Sequence, residues 1–215
     1  ILDKIAAEHT GPGEIIPLTL DHSDKESLKT AVAEVSKREK YIDLCDLHTI
    51  FIVPWMVVLT LWVRFIANAA VTRMTLVTPQ PKENLNAEQY AKALFEQPME
   101  DWDELLRINL SAVYFSSVAF MPLLVANPHK ERASIVTIGS ISGTTALSQT
   151  GQYAYNVSKA GLHSLTRMLA NDFKHPDIGV RVNCLAPGYF PSEMTVVQGD
   201  EDEWKKIKHI RERVC

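Results

Sequence analysis

The stretch Ala133-Ser-Ile-Val-Thr-Ile-Gly-Ser-Ile-Ser-Gly143, followed after a Ser/Thr/Gln-rich loop by Gly151-Gln-Tyr-Ala-Tyr-Asn-Val-Ser-Lys159, decides the fold. Residues 133–138 are a short apolar run that reads as a strand, and the run breaks into Gly139-Ser140. Gly151 to Phe173 reads as a helix. Tyr155 and Lys159 stand four residues apart on it, which puts both side chains on one face. An ammonium beside a phenol favours phenolate and lowers a reference pKa of about 10, preparing Tyr155 to give or take a proton near neutral pH. Tyr153 is a rival, but its i+4 partner is Val157, which carries no charge. The Ser140 hydroxyl, at the carboxyl end of a parallel strand, sits where ligands bind in open α/β sheets.

Outward from this stretch, strands alternate with helices. Residues 2–9 read as the end of an amphipathic helix, and Glu14 to Leu20 as a strand ending at Asp21-His22. Ser23-Asp-Lys-Glu26 has the capping-box pattern and predicts a helix to about Lys40. Tyr41-Ile-Asp-Leu-Cys45 starts another strand. Helices are expected at about Ala87 to Phe95 and from Met99 to about Ala126, the latter carrying Asn109. Val180 to Ala186 reads as a strand broken by Pro187-Gly188. Residues 200–213 run from acidic to basic, as a helix macrodipole prefers. This alternation predicts an α/β fold: a doubly wound, mostly parallel sheet, with residues 1–215 as a single domain.

Composition excludes several function classes. The 215 residues are 46 % apolar and 22 % charged, ordinary for a globular chain with a sizeable core. A net charge of −4 argues against nucleic acid and anionic membrane as partners. Cys45, Cys184 and Cys215 fit neither a disulfide framework nor a zinc spacing, so a reducing, cytoplasmic setting is expected. The seven histidines show no ligand spacing, and no metal is expected. The first nine residues are no signal peptide, because Asp3, Lys4 and Glu8 interrupt any apolar core. Asn109-Leu-Ser and Asn156-Val-Ser match the glycosylation pattern but fall on helices within the proposed site. The lysines near 205–208 follow four acidic residues and read as a solvated helix face.

In order along the chain, Leu20-Asp21, Ala67-Asn-Ala-Ala70, Arg107-Ile-Asn109, Ile138-Gly-Ser-Ile-Ser-Gly143, Tyr155-x-x-x-Lys159-Ala-Gly161 and Asn183-Cys-Leu-Ala-Pro-Gly188 together resemble the short-chain dehydrogenase/reductase family. The segment from Ala186 to Thr195 looks most like rhamnolipid-type β-ketoacyl reductases and fungal relatives. The resemblance implies a Rossmann-type fold and reversible hydride transfer between a nicotinamide cofactor, NADP ahead of NAD, and a carbonyl or secondary alcohol of small-molecule size. It implies Tyr155 as general acid, and Lys159 as the group that lowers its pKa and holds the nicotinamide ribose. Ser140 would hydrogen-bond the substrate oxygen, with Ser142 as the alternative serine. Asn109 would place a water linking Lys159 to solvent. Asp21 would contact adenine, and Asn68 and Ala69 would line the adenine ribose side. Pro187, Gly188, Phe190 and Ser192 would flank the nicotinamide carboxamide. A homodimer or homotetramer built on the helices at 100–126 and 151–173 is implied as well.

Two departures from the family stand out. Only nine glycines occur, against roughly 15 expected at about 7 %, and none lies between Gly13 and Gly139. The family's Thr-Gly-x-x-x-Gly-x-Gly turn is absent from these residues. Thr10-Gly-Pro-Gly13 does not replace it, because Pro12 removes an amide donor and phosphate cradling needs a strand, tight glycines and a helix N-terminus. The expected fold is therefore incomplete, lacking the first βαβ unit. A catalytically impaired fragment or interaction-only protein is the alternative function. Second, Thr49 to Val63 is 15 residues without a charge. As a helix it would span about 22 Å, short of a roughly 30 Å hydrocarbon core. Residues 46–65 read as an insertion, of the kind a retained intron gives. Removing them would join Tyr41-Ile-Asp-Leu-Cys45 to Ile66-Ala-Asn-Ala-Ala70 as one strand. A buried core helix and a membrane-anchored reductase are the other readings of this block.

Overall fold

The computed structural model describes residues 18–48, 64–68, 86–129, 131–148 and 151–188, with the single positions 7, 10 and 16. For 44–48 and 64–68 the description is of the backbone alone. The elements are α1 (Lys25–Arg38), β1 (Leu44–His48), β2 (Arg64–Asn68), α2 (Ala87–Phe95), α3 (Met99–Leu106), a π-helical turn (Arg107–Ser111), α4 (Ala112–Val125), β3 (Ser134–Ile138), a 3-10 turn (Ile141–Gly143), α5 (Tyr153–Phe173) and β4 (Arg181–Leu185). The four strands form one parallel sheet in the order β2-β1-β3-β4. Parallel neighbours cannot be joined by tight turns, and the helices between β2 and β3 and between β3 and β4 supply the crossovers.

The core lies where α1, α4 and α5 meet the sheet. Ile135 of β3 and Val182 of β4 pack with Phe120 and Leu124 of α4 and with Leu162, Leu169 and Phe173 of α5. Leu28, Ala31 and Val35 of α1, spaced by three and four, add a helical stripe to the same cluster. Phe120, Leu124, Ile135 and Leu162 are fully buried, each side chain contributing about 1.5–3 kcal/mol by leaving water. Two buried polar contacts fix the layers. The hydroxyls of Thr137 (β3) and Thr166 (α5) are 2.7 Å apart. The Asn127 amide donates to Ile42 O at 3.1 Å and to Asp43 Oδ1 at 2.9 Å, tying the end of α4 to the approach to β1.

Several local expectations are corrected. Residues 18–21 make no strand; Pro17, just before them, has no amide to give a sheet ladder. Helix α1 is capped by Asp24, whose carboxylate accepts from Glu26 N and Ser27 N, and not by Ser23. Asp21 Oδ1 takes both the amide and the hydroxyl proton of Ser23 and holds that residue outside the helix. The long helix from Met99 is interrupted by its π-helical turn. Leu44–His48 and Arg64–Asn68 lie side by side as parallel neighbours, Cys45 opposite Phe65 and His48 opposite Asn68. The middle of the 46–65 block, the expected helix at 200–213, and all of the one at 2–9 but residue 7, which is helical, lie outside the described residues. Among the described residues one helical run, Met99–Val125, is long and apolar enough to cross a membrane. Its Phe120, Leu123 and Leu124 pack in the core.

Candidate active site

The carboxyl end of β3 meets the first turns of α5. Lys159 is fully buried there, and its Nζ donates to the carbonyl oxygen of Ile138, the last residue of β3, at 2.9 Å. The same Nζ stands 5.7 Å from the centre of the Tyr155 ring, within cation–π range. Burial drives the ammonium's pKa down to about 8, opposed by neighbouring Cys184. An ammonium has three donors. Those not used on Ile138 meet no hydrogen-bond partner among the described residues. Tyr155 is itself buried.

Close backbone approach holds this pair in place. A Cβ on Gly143 would lie 2.7–2.9 Å from the backbone of Lys159 and Ala160. Only glycine lets the 3-10 turn after Ser140 rest directly on α5. Ser140 is extended and caps that turn, its Oγ accepting from the Ser142 amide at 3.1 Å. A hydroxyl oxygen that accepts keeps its own proton for donation. Ser142 is buried in the same turn. On the far side, Gly139 N donates to Leu185 O at 2.6 Å and Ile141 N to Pro187 O at 3.1 Å. This pairing lays Pro187-Gly188 alongside Ser140-Ile141.

Asn109 lies in the π-helical turn, where Ala112 N–H reaches back to Arg107 O, and it is fully buried. Its Nδ2 donates to Ser158 Oγ at 3.2 Å, and the Ser158 hydroxyl donates to Tyr155 O at 2.7 Å. A single extra residue in a helix, often found at functional sites, thus brings Asn109 against α5 between Tyr155 and Lys159. The structure therefore gathers Asn109, Ser140, Tyr155, Lys159, Pro187 and Gly188 around one strand end.

Asp21 stands apart from that group. Hydrogen bonds from Ser23 hold its carboxyl below the usual carboxylate range. Ser23 Oγ also accepts from the Arg107 guanidinium, which ties the Asp21 loop to the turn carrying Asn109. Asn68 ends β2, with its side chain outside the described atoms. Ala69, Phe190 and Ser192 lie outside the described residues. The rival Tyr153 shares a hydrogen bond with Tyr90 of α2 at 3.0 Å between hydroxyls. Both glycosylation patterns are closed off, since Asn109 and Ser158 are fully buried.

Ser158 and His163 escaped the sequence reading. His163 Nε2 accepts from the Ser140 amide at 3.4 Å. Burial first, then the charges of Lys159 and Arg167, push its pKa below the ordinary value. The signal was available: Tyr155, Lys159 and His163 repeat every four residues.

A family model described as short chain dehydrogenase matches residues 65–203. The short-chain dehydrogenase/reductase PhomF' of Diaporthe leptostromiformis is 32 % identical over 198 residues, covering 91 % of this chain and 59 % of its own. The rhamnolipids biosynthesis 3-oxoacyl-(acyl-carrier-protein) reductase of Pseudomonas aeruginosa is 37 % identical over 107 residues, covering 49 % of this chain and 41 % of its own. Among solved structures, the Pseudomonas aeruginosa RhlG/NADP active-site complex superposes with a TM-score of 0.64 at 22 % identity, covering 94 % of this chain and 62 % of that one. That likeness shows a shared Rossmann-type fold. This chain spans about 59 % of the length of the PhomF' relative.

Proposed function

We infer the function from a plain premise: the chain belongs to the short-chain dehydrogenase family, and its relatives are oxidoreductases. We propose that it reduces a small-molecule carbonyl, or oxidises the matching secondary alcohol, with Tyr155 as proton donor and acceptor. The observation that carries this reading is the buried Lys159 ammonium, anchored on Ile138 O and poised 5.7 Å from the Tyr155 ring.

The residues present suit the nicotinamide end of a dinucleotide. Lys159 offers N–H donors beyond the one given to Ile138, which fit ribose hydroxyls. NADP ahead of NAD is supported by one structural neighbour, RhlG, whose structure is a complex with NADP. When bound, that cofactor supplies or takes the hydride. Tyr155 Oη gives its proton to the substrate oxygen, and the Lys159 charge stabilises the phenolate left behind. The Ser140 hydroxyl donates to the same oxygen. Asn109, through Ser158, holds the first turns of α5 in register. Asp21, Asn68 and Ala69 take the adenine side, and Pro187, Gly188, Phe190 and Ser192 the carboxamide side. We place the protein in the cytoplasm as a homodimer or homotetramer.

A second reading applies to the 215 residues taken by themselves. No Thr-Gly-x-x-x-Gly-x-Gly turn occurs in them, so they would keep the proton-transfer half of a site without a pyrophosphate cradle. Titrating the purified chain with NADPH and NADH, followed by tryptophan quenching, separates the two. Saturation at micromolar concentration is expected for an oxidoreductase. Absence of saturation up to millimolar concentration would leave the second reading standing.

A further inference from the structure

The end of β3 is pinned by three successive amides, and they go to two different partners. Gly139 N and Ile141 N donate toward the β4 side, to Leu185 O and Pro187 O. The amide between them, that of Ser140, turns the other way and donates to His163 Nε2 at 3.4 Å. A Cβ on residue 139 would stand 2.2 Å from that Nε2 and 2.7 Å from Cys184 Sγ. The imidazole thus occupies the space that a side chain at 139 would need, and Gly139 is what lets it reach the amide. His163 lies on α5 four residues after Lys159, on the stripe that begins with Tyr155.

We propose that His163 is a positioning residue: its Nε2 lone pair fixes the Ser140 amide and thereby the aim of the Ser140 hydroxyl at the substrate oxygen. This rests on the reading of Ser140, Tyr155 and Lys159 as the reacting group. To accept the amide proton, the imidazole must be neutral with its proton on Nδ1. Its surroundings favour that form: burial disfavours the charged ring first, and Lys159 and Arg167 on its own helix repel a further positive charge. Cys184 is the titratable group facing it from β4. Protonation in acid removes the lone pair and frees Ser140.

Two variants separate positioning from packing. His163→Leu keeps bulk and loses the acceptor, while His163→Gln presents an amide oxygen at similar reach. Two readouts are taken on each: hydrogen exchange of the Ser140 amide by NMR, and kcat with KM for NADPH between pH 5 and 8. In His163→Leu, Ser140 exchange should rise and kcat fall, each about tenfold, the worth of one neutral hydrogen bond, with KM unchanged. His163→Gln should restore both to within about threefold and remove the fall in kcat expected of the wild type in acid, where the imidazole takes up a proton. Unchanged Ser140 exchange in His163→Leu overturns the proposal. So does raised exchange with wild-type kcat, or equal losses in both variants with the acid limb intact. Tyr155→Phe is run in parallel: if it turns over like wild type, or if wild type reduces no carbonyl compound, the reading of the site fails, whatever Ser140 exchange shows.

Discussion

Helix α5 and the corner around Asp21 both carry polar chemistry, but they hold it in opposite ways. Lys159, Asn109, Ser140 and Ser158 are buried and joined by hydrogen bonds to backbone or to one another. Asp21 is exposed, and its carboxylate is held by the amide and hydroxyl of Ser23. A buried group is shifted and oriented by its surroundings, whereas an exposed one competes with water for every contact. In the proposed reaction, then, the proton-transfer end depends on preorganised, desolvated groups, and the adenine end depends on weak contacts. Substitutions at Tyr155 and Lys159 of α5 should change turnover by orders of magnitude, and those at Asp21 should change little.

The largest effect outside Tyr155 is expected at Lys159. Lys159→Met should lower kcat by about a hundredfold or more while stabilising the fold. Its pKa falls from 10.5 to about 8 on folding, so at neutral pH the buried ammonium costs about 3 kcal/mol. Losing the bond to Ile138 returns about 1 kcal/mol of that, leaving a net gain of about 2 kcal/mol for the methionine protein. The cost is fully present below pH 8 and disappears as pH rises to 10.5, where the unfolded lysine also gives up its proton. Denaturant midpoints of the two proteins should therefore converge and cross within that window, the wild type ending about 1 kcal/mol ahead through its bond to Ile138. Parallel curves would show that Lys159 is not buried as described.

Next comes Gly143→Ala. Its Cβ would meet backbone atoms at 2.7–2.9 Å, and backbone cannot swing aside, so about 1–3 kcal/mol of stability should be lost. Thermal unfolding reads this directly, and an unchanged Tm would deny the close seat of the turn on α5. Ser158→Ala leaves the Asn109 Nδ2 donor without its hydroxyl acceptor in a buried site, at about 1–2 kcal/mol, with a fall in kcat expected on top. Smallest is Asp21→Asn: stability within about 0.5 kcal/mol and NADPH affinity changed a few-fold at most, measured by titration. A loss at Asp21 as large as that at Lys159 would erase the contrast between the two regions.

Legibility in the sequence followed the same division. Helix α5 and strands β3 and β4 were readable because apolar periodicity, Gly139 and Pro187-Gly188 mark their limits. Their joint motif also named the residues that the structure gathers at one strand end. The π-helical turn was not readable, because Arg-Ile-Asn-Leu-Ser has no local signature and the extra residue is selected by packing on α5. The cap of α1 lies one residue beyond the one its sequence pattern indicates, because Ser23 and Asp24 are both good caps and only the bonds to Asp21 decide between them. The role of His163 is not legible in sequence, because a lone histidine without ligand spacing signals nothing by itself. Its acceptor role exists only once Gly139 places the Ser140 amide against it.

The most direct test of the account is single-turnover reduction of a carbonyl substrate by Tyr155→Phe, with NADPH affinity measured on the same preparation. A loss of at least about a hundredfold in the chemical step is expected, with the dissociation constant for NADPH within about twofold of wild type, since only one hydroxyl is removed. Turnover within about tenfold of wild type at unchanged affinity would contradict Tyr155 as the proton donor.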